Sequence, residues 1–266
     1  MTPPSDSYQP PVGRLLELGD LHEHPNEDYL ALGIRPEHIP DLIRMAQDAG
    51  LDNAGSDSAE TWAPLHARRA LGRLRAEPAI EPLLGLLHRI DDDDDDWIDD
   101  LSTVFGQIGP AALAPLEAYV ASRQHPLHAR GIASEGLVSV GKLHPASREA
   151  AVAAVTRLLE NFAEPGREPA LNGFLVSDLV QLDAVEAVPL MQRAFAAGVV
   201  EEDVIGDWQA VQVELGLKDE RDAARRDTPR YAPSGRPAPA RPLPAQSRPQ
   251  PATAPAPKRH RHRHKK

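Results

Sequence analysis

Apolar residues recur along most of the chain at the three- and four-residue spacing of an amphipathic helix. Leucine and alanine dominate these runs, and only 4% of the residues are aromatic, which favours helices over strands. The apolar pattern stops at about Lys218, where prolines and basic residues take over. The sequence therefore predicts an all-α domain over residues 12–217 and a disordered tail over residues 218–266.

The helical runs come in pairs that repeat along the chain. The pentapeptide Pro-Leu-His-Ala-Arg opens one run at 64–68 and another at 126–130. The end of the first of these helices also has a counterpart in the next unit, since Leu71-Gly72-Arg73-Leu74 aligns with Phe105-Gly106-Gln107-Ile108. A period of about 30 to 45 residues with two helices in each unit is typical of an α-solenoid.

These units predict five helical pairs and a closing helix. The pairs cover residues 12–50, 60–91, 97–122, 126–163 and 170–198, and the closing helix covers residues 201–216. Each run is expected to be one continuous helix, including those at 36–50, 79–90 and 201–215. The run that begins at Pro126 is about one turn longer than the other first helices, an insertion that a stack of pairs tolerates.

The units resemble a known repeat. In the unit at 60–91 a helix with a glycine near its end is followed by a turn with a proline and by a second helix, which opens Ala-Ile-x-Pro-Leu-Leu at 79–84. This arrangement is similar to HEAT repeats, specifically the bacterial phycobilisome-lyase HEAT-like repeats. The resemblance covers about residues 60–200. The segment Leu171-Asn172-Gly173-Phe174-Leu175 is also similar to a group of bacterial HEAT-repeat proteins. The resemblance implies a solenoid of the armadillo type and no single function.

Charge changes at the same point as the apolar pattern. Residues 1–217 hold 15 Lys or Arg against 36 Asp or Glu, a net charge of −21, and residues 218–266 hold 14 against 4, a net charge of +10. An acidic body repels nucleic acid and attracts a basic partner. We therefore expect a non-enzymatic scaffold or adaptor that binds a protein or peptide, itself basic, on an acidic surface of the solenoid.

Other features of the composition narrow the class of protein. The chain has no cysteine, which excludes disulfides, thiol nucleophiles and cysteine-ligated zinc. No window approaches the ~20 apolar residues of a membrane span, and the first residues lack the basic start and apolar run of a secretory signal. We expect a cytoplasmic protein without a cofactor and without membrane contact.

Candidate contacts with a partner are of two kinds. The acidic run before the Trp97 helix can cap that helix and can also attract a basic partner or divalent cations, but it lacks the glycine and twelfth-position Glu of a calcium loop. The second kind consists of tryptophans and the pentapeptide arginines. These side chains either contact a partner or pack between repeats of the chain itself. The candidates are Asp91, Asp92, Asp93, Asp94, Asp95, Asp96, Trp62, Trp97, Arg68 and Arg130.

The histidines suggest a metal site only weakly. His22-Glu23-His24 has ligand types that suit zinc or iron. Among HEAT-repeat enzymes, deoxyhypusine hydroxylase holds two irons through His-Glu pairs in several repeats, and here that pair occurs only at 22–23, which argues against such a centre. For His66 and His128 we expect hydrogen bonds between repeats, and for Arg68 and Arg130 we expect pairing with carboxylates of the neighbouring helix. We assign no catalytic residue.

Two alternative functions stay open. Phycobilisome-lyase HEAT-like repeats serve tetrapyrrole attachment to, or removal from, a phycobiliprotein, so the resemblance implies a lyase or chaperone subunit acting on such a protein. The residues available to hold tetrapyrrole propionates are Arg68, Arg69, Arg73, Arg75 and Arg130. The other alternative is weak, non-specific association with nucleic acid through the basic tail. Its contacts would come from Lys258, Arg259, Arg261, Arg263, Lys265 and Lys266.

We expect deletion of residues 258–266 to abolish any binding of the chain to nucleic acid, because the acidic body repels phosphates. Fluorescence anisotropy with a labelled duplex at about 50 and about 300 mM salt measures the effect, since phosphate contacts weaken steeply with salt. Binding that persists after the deletion would show that another part of the chain contacts the phosphates.

Overall fold

The computed structural model describes residues 8–23, 27–52, 54, 58–89 and 95–218, with the backbone alone for residues 95–100. Contacts divide the chain into two units, Met1–Asp227 and Thr228–Lys266, and every described residue lies in the first. The described part is helical and contains no strand, which confirms the predicted all-α class. None of its helices has both the length and the apolar character that a membrane span requires.

Twelve α-helices follow one another along the described chain. They are α1 (Ile39–Ala46), α2 (Ala49–Asp52), α3 (Ala63–Arg73), α4 (Ile80–Leu84), α5 (Asp95–Ile108), α6 (Leu113–Ala121), α7 (Leu127–Leu143), α8 (Arg148–Glu160), α9 (Pro169–Gln181), α10 (Val188–Ala196), α11 (Glu202–Ile205) and α12 (Trp208–Glu214). A 3₁₀ helix, Val12–Glu17, precedes them.

The first 3₁₀ helix and ten of the α-helices fall into two rows, A and B, and consecutive elements alternate between them. The A helices are the 3₁₀ helix Val12–Glu17, α3, α5, α7, α9 and α11, and each contacts the next in that order. The B helices are α1, α4, α6, α8 and α10, and they also contact one another in order. Four B helices contact the A helix that follows them as well, since α1 packs on α3, α4 on α5, α6 on α7 and α8 on α9.

Each B helix begins with a short 3₁₀ turn. These turns are Pro36–His38, Glu77–Ala79, Pro110–Ala112, Pro145–Ser147 and Val185–Ala187. Four of them contain a proline, which has no N–H and a fixed φ and therefore suits a first turn whose N–H groups have no helical acceptor. The recurring proline of the sequence thus marks the start of a B helix.

The loops before α4 and α10 repeat the same backbone geometry. Arg75 and Asp183 both have a φ of 52°. The next N–H, of Ala76 or Ala184, donates to the carbonyl five residues back in the preceding A helix, at 3.0 and 2.9 Å. This pattern is a Schellman ending, and its recurrence supports the unit period that the sequence indicates.

Two aligned glycines let successive A helices approach closely. A Cβ on Gly72 of α3 would lie 2.5 Å from the side-chain oxygen of Gln107 on α5. A Cβ on Gly106 of α5 would lie 2.6 Å from the Cβ of Ser139 on α7. The alignment of Gly72 with Gly106 therefore reflects the distance between neighbouring A helices.

Buried side chains of the A helices bind the carbonyl ends of the B helices. Arg68 of α3 donates to the carbonyl of Ala46, the last residue of α1, at 3.2 Å. Arg130 of α7 donates through Nε to Val120 O near the end of α6 at 2.8 Å, and Asn172 of α9 donates to the carbonyl of Phe162, just beyond α8, at 3.1 Å. The last four carbonyls of a helix lack a partner in the helix, so Arg68 and Arg130 satisfy carbonyls of buried residues that would otherwise be left unpaired.

Three predicted helices are interrupted. The run at 36–50 ends as an α-helix at Ala46, and Gly50 lies inside α2, where its N–H donates to the Asp48 carboxylate at 2.9 Å. The run at 79–90 divides into α4 and a 3₁₀ turn, Leu87–Arg89. The run at 201–215 divides at Gly206, whose φ of 81° ends α11. The extra length of the run at Pro126 is confirmed, because α7 has 17 residues.

We expect Arg130→Met to lower the free energy of unfolding by about 2–3 kcal/mol, because the buried Val120 carbonyl loses its donor. Thermal unfolding should show a decrease in Tm of roughly 5–10 °C.

Arg157→Met is the matched control. Arg157 is exposed and forms two hydrogen bonds with Glu117 at 2.7 Å, and an exposed ion pair contributes about 0.2–1 kcal/mol. Equal losses of stability in the two variants would contradict the assignment of Arg130 as the donor that caps α6.

Candidate functional site

The two copies of the pentapeptide have different surroundings. His66 is fully buried, and its Nδ1 and Nε2 lie 3.0 Å from the Tyr29 hydroxyl and 3.0 Å from Gly19 O. These contacts join α3 to the preceding segment, as predicted for hydrogen bonds between repeats. His128 is half-buried and lines a cavity between α7 and α9. Only the second copy therefore places its histidine at an accessible site.

The pentapeptide arginines are internal. Arg68 is 0% exposed and Arg130 is 1% exposed, and their guanidinium groups lie 3.9 Å from the Asp52 carboxylate and 3.2 Å from that of Glu168. The predicted pairing with carboxylates of neighbouring elements is confirmed. A partner-binding role does not fit this burial. The same burial removes two of the five arginines on which the tetrapyrrole alternative depended.

Two of the tryptophans pack against residues of this chain. Trp62 is half-buried and meets the His22 ring edge to face, with ring centroids 5.8 Å apart. Trp208 of α12 packs on Phe195 of α10 at 5.6 Å. Both contacts follow the packing interpretation of these residues.

The remaining candidates lie outside the described part of the chain. Asp91 to Asp94 and the tail contacts Lys258 to Lys266 are not among the described residues, and neither are the side chains of Asp95, Asp96 and Trp97. Their role as contacts for a partner stays a prediction.

The histidine cluster near the N-terminus is described only in part, because His24 lies outside the described residues. The His22 ring nitrogen Nδ1 lies 2.9 Å from the Asp20 carboxylate, and both side chains are exposed. Across residues 8–23, 27–52, 54, 58–89 and 95–218, no three His, Asp or Glu side chains come close enough together to hold a metal ion.

A cavity of about 230 Å³ lies between α7 and α9. One helix contributes His128, Gly131, Ile132, Ser134 and Glu135, and the other contributes Phe174, Ser177, Asp178 and Gln181. The α9 residues follow the helical spacing of three and four, so that they share one face. The cavity combines an apolar wall with several polar groups, as ligand sites commonly do.

Asp178 is the buried acid of this cavity. Its side chain is 4% exposed, and within the described residues its Oδ2 has no hydrogen-bond partner. Burial raises the pKa of Asp178 to about 8, and the charge of Glu135 acts in the same direction. A hydrogen bond with Ser134 and the charge of Lys142 lower it, but the Ser134 hydroxyl also donates to Gly131 O at 2.9 Å, so that its one proton offsets little of the desolvation.

A larger cavity, of about 650 Å³, lies beside α8 and the turn before α10. Its arginines are already occupied. Arg148 binds the Glu186 carboxylate at 3.2 Å and the Leu182 carbonyl at 2.8 Å, and Arg157 is paired with Glu117. The arginines of this second cavity are therefore engaged in contacts between helices, and the α7–α9 cavity is the better candidate for a ligand site.

Sequence analysis missed Asp178. The available signal was an acid in the largely apolar stretch Leu175-Val176-Ser177-Asp178-Leu179-Val180, since an ionisable residue on the buried face of a helix is uncommon. The sequence contained no comparable indication of the cavity residues on α7, because only the packing of α7 on α9 brings Ser134 and Glu135 opposite Asp178.

Comparisons with known proteins identify no relative. No family model matches the chain, and neither does any curated protein or any solved structure. The candidate site therefore depends on its own geometry.

We expect Asp178→Asn to flatten the dependence of stability on pH between about 4 and 8. The folded protein keeps the Asp178 proton over this range and the unfolded chain releases it, so the free energy of unfolding of the original protein falls as pH rises, by up to about 1.4 kcal/mol per pH unit. Asparagine does not titrate, so the variant should gain stability relative to the original protein from pH 5 to pH 8.

Chemical denaturation at each pH measures this difference. Asp183→Asn, in the exposed loop after α9, replaces an exposed carboxyl group with the same amide and serves as the control. An equal flattening in the control would show that overall charge, and not the buried acid, sets the pH dependence.

Proposed function

We propose that the chain is a HEAT-like α-solenoid that acts as a non-enzymatic scaffold for a basic protein or peptide. The solenoid part of this proposal is supported by the order of contacts, because A helices contact A helices and B helices contact B helices in sequence order. The repeated 3₁₀ turns and the repeated buried caps add to that support. In such stacks each pair buries its apolar face against its neighbours.

The observation that carries the functional proposal is how the body uses its arginines. Several arginines bind groups of the fold itself. Arg68 and Arg130 donate to carbonyls at helix ends, and Arg123 forms an ion pair with Glu164 at 3.1 Å. Because residues 1–217 hold more than twice as many acidic as basic residues, carboxylates are left over at the surface.

One group of exposed carboxylates lies at the end of the A row. Glu201, Glu202 and Asp203 are consecutive and exposed at the start of α11. A positively charged partner gains from such a patch in both affinity and rate of association. The acidic run at 91–96 is the second patch in this proposal. The cysteine-free composition suits a scaffold in the reducing cytoplasm.

We expect the full chain to retain a discrete basic protein from a soluble extract of its source cells at about 50 mM salt and to release it at about 500 mM, because salt screens exposed charges. Two variants test the patches separately, one with Glu201→Gln, Glu202→Gln and Asp203→Asn, and one with the six aspartates 91–96 changed to Asn. Mass spectrometry identifies the retained protein, and titration of the purified pair measures its affinity.

A second acidic protein of equal net charge serves as the control bait. Retention of the same proteins by this bait, or undiminished binding by both variants, would contradict the scaffold proposal.

A further inference from the structure

The α7–α9 cavity has the size and chemistry of a ligand site that the scaffold role does not use. A cavity of about 150 Å³ holds benzene, so 230 Å³ accommodates a body of roughly nine non-hydrogen atoms. It is partly open to solvent, and a molecule of this size can enter without unfolding the helices.

The wall of the cavity is apolar and partly aromatic. Phe174 lies against the glycine of the facing helix, since a Cβ on Gly131 would come within 3.2 Å of the Phe174 ring. Ile132 lines the same cavity and is buried. An aromatic ring beside a small cavity stabilises a flat apolar body, and it attracts a cation as well.

The polar groups of the cavity favour a positively charged ligand. Asp178 Oδ2 is buried without a hydrogen-bond partner in the described part of the chain, and Glu135 is a second acid in the lining. Among the described residues the lining contains no Lys or Arg, and Lys142, whose charge acts on Asp178, is hydrogen-bonded to Gln181 of the lining at 2.8 Å. An anion would face two carboxyl groups, whereas an N–H donor with a positive charge would supply the bond that Oδ2 lacks.

We propose that this cavity binds a small organic monocation, a primary ammonium or amidinium on a short apolar body, with the charged group on Asp178 and the body against Phe174. The inference does not depend on the scaffold proposal. The same chemistry is found in a free amine and in a lysine side chain presented by a peptide.

A cation at this position acts on the protonation of the site. Among the described residues, the charged or titratable groups that share the surroundings of Asp178 are His128, Glu135 and Lys142, all on α7. Because a neighbouring positive charge favours the ionised carboxyl, the ligand lowers the pKa of Asp178 and releases its proton.

Isothermal titration calorimetry of the full-length protein with benzylammonium tests the proposal, with benzyl alcohol as the neutral probe of similar shape. We expect benzylammonium to bind with a Kd of roughly 0.1–1 mM, at least tenfold more tightly than the alcohol. The heat at pH 7 should differ between buffers of different ionisation enthalpy, because a proton is released.

Asp178→Asn should weaken benzylammonium binding at least tenfold and abolish the buffer dependence, with folding checked by circular dichroism. Ser177→Leu, at a half-exposed position of the lining, should block the cavity while the helix is kept, and it tests the site even where the Asn variant is unstable. Equal binding of the alcohol and the ammonium, or unchanged ammonium binding in both variants, would overturn the proposal.

The source of the cation is decided with a blocked peptide, acetyl-Ala-Lys-Ala-amide, in the same assay. Binding of both the peptide and benzylammonium assigns the cavity to a lysine side chain of a partner. Binding of benzylammonium alone assigns it to a free amine.

Discussion

The packing of A helices on B helices depends on how the carbonyl ends of the B helices are satisfied. A helix that ends inside a protein exposes carbonyls without partners, and leaving one of them buried and unpaired costs about 1–3 kcal/mol. In the described part of this protein, Arg68, Arg130 and Asn172 reach from the following A helix to the end of the B helix before it. Each of these bonds therefore joins two units, so that the ends of α1 and α6 have their polar requirement met only when the following A helix is in place.

This constraint gives a physical meaning to the repeated pentapeptide. Its arginine is the donor for a helix end in both copies, whereas its histidine has a different environment in each. Tyr29 and Gly19 cover His66, and His128 lies in the cavity beside α9. The shared part of the motif is thus architectural, and the part that differs marks the candidate site.

The α7–α9 cavity contains a buried acid whose hydrogen bonding is incomplete. Asp178 is buried, and no described residue forms a hydrogen bond with its Oδ2. A buried acid of this kind weakens the fold, because desolvation opposes its ionised form. Departures from good packing and polar satisfaction concentrate at functional sites, and this one coincides with a cavity of ligand size.

The sequence by itself determined the helical class and the places where B helices begin, because helical spacing and proline act locally. It also indicated the Arg68 and Arg130 contacts with neighbouring carboxylates. Helix interruptions at Ala46 and Gly206 escaped it, since a single turn and one positive φ decide them. Only the tertiary structure decided that Arg68 and Arg130 are inside and that Asp178 and Phe174 of α9 face His128 of α7 across a cavity. Burial and the pairing of α7 with α9 depend on side chains far apart in the chain, and no local pattern encodes them.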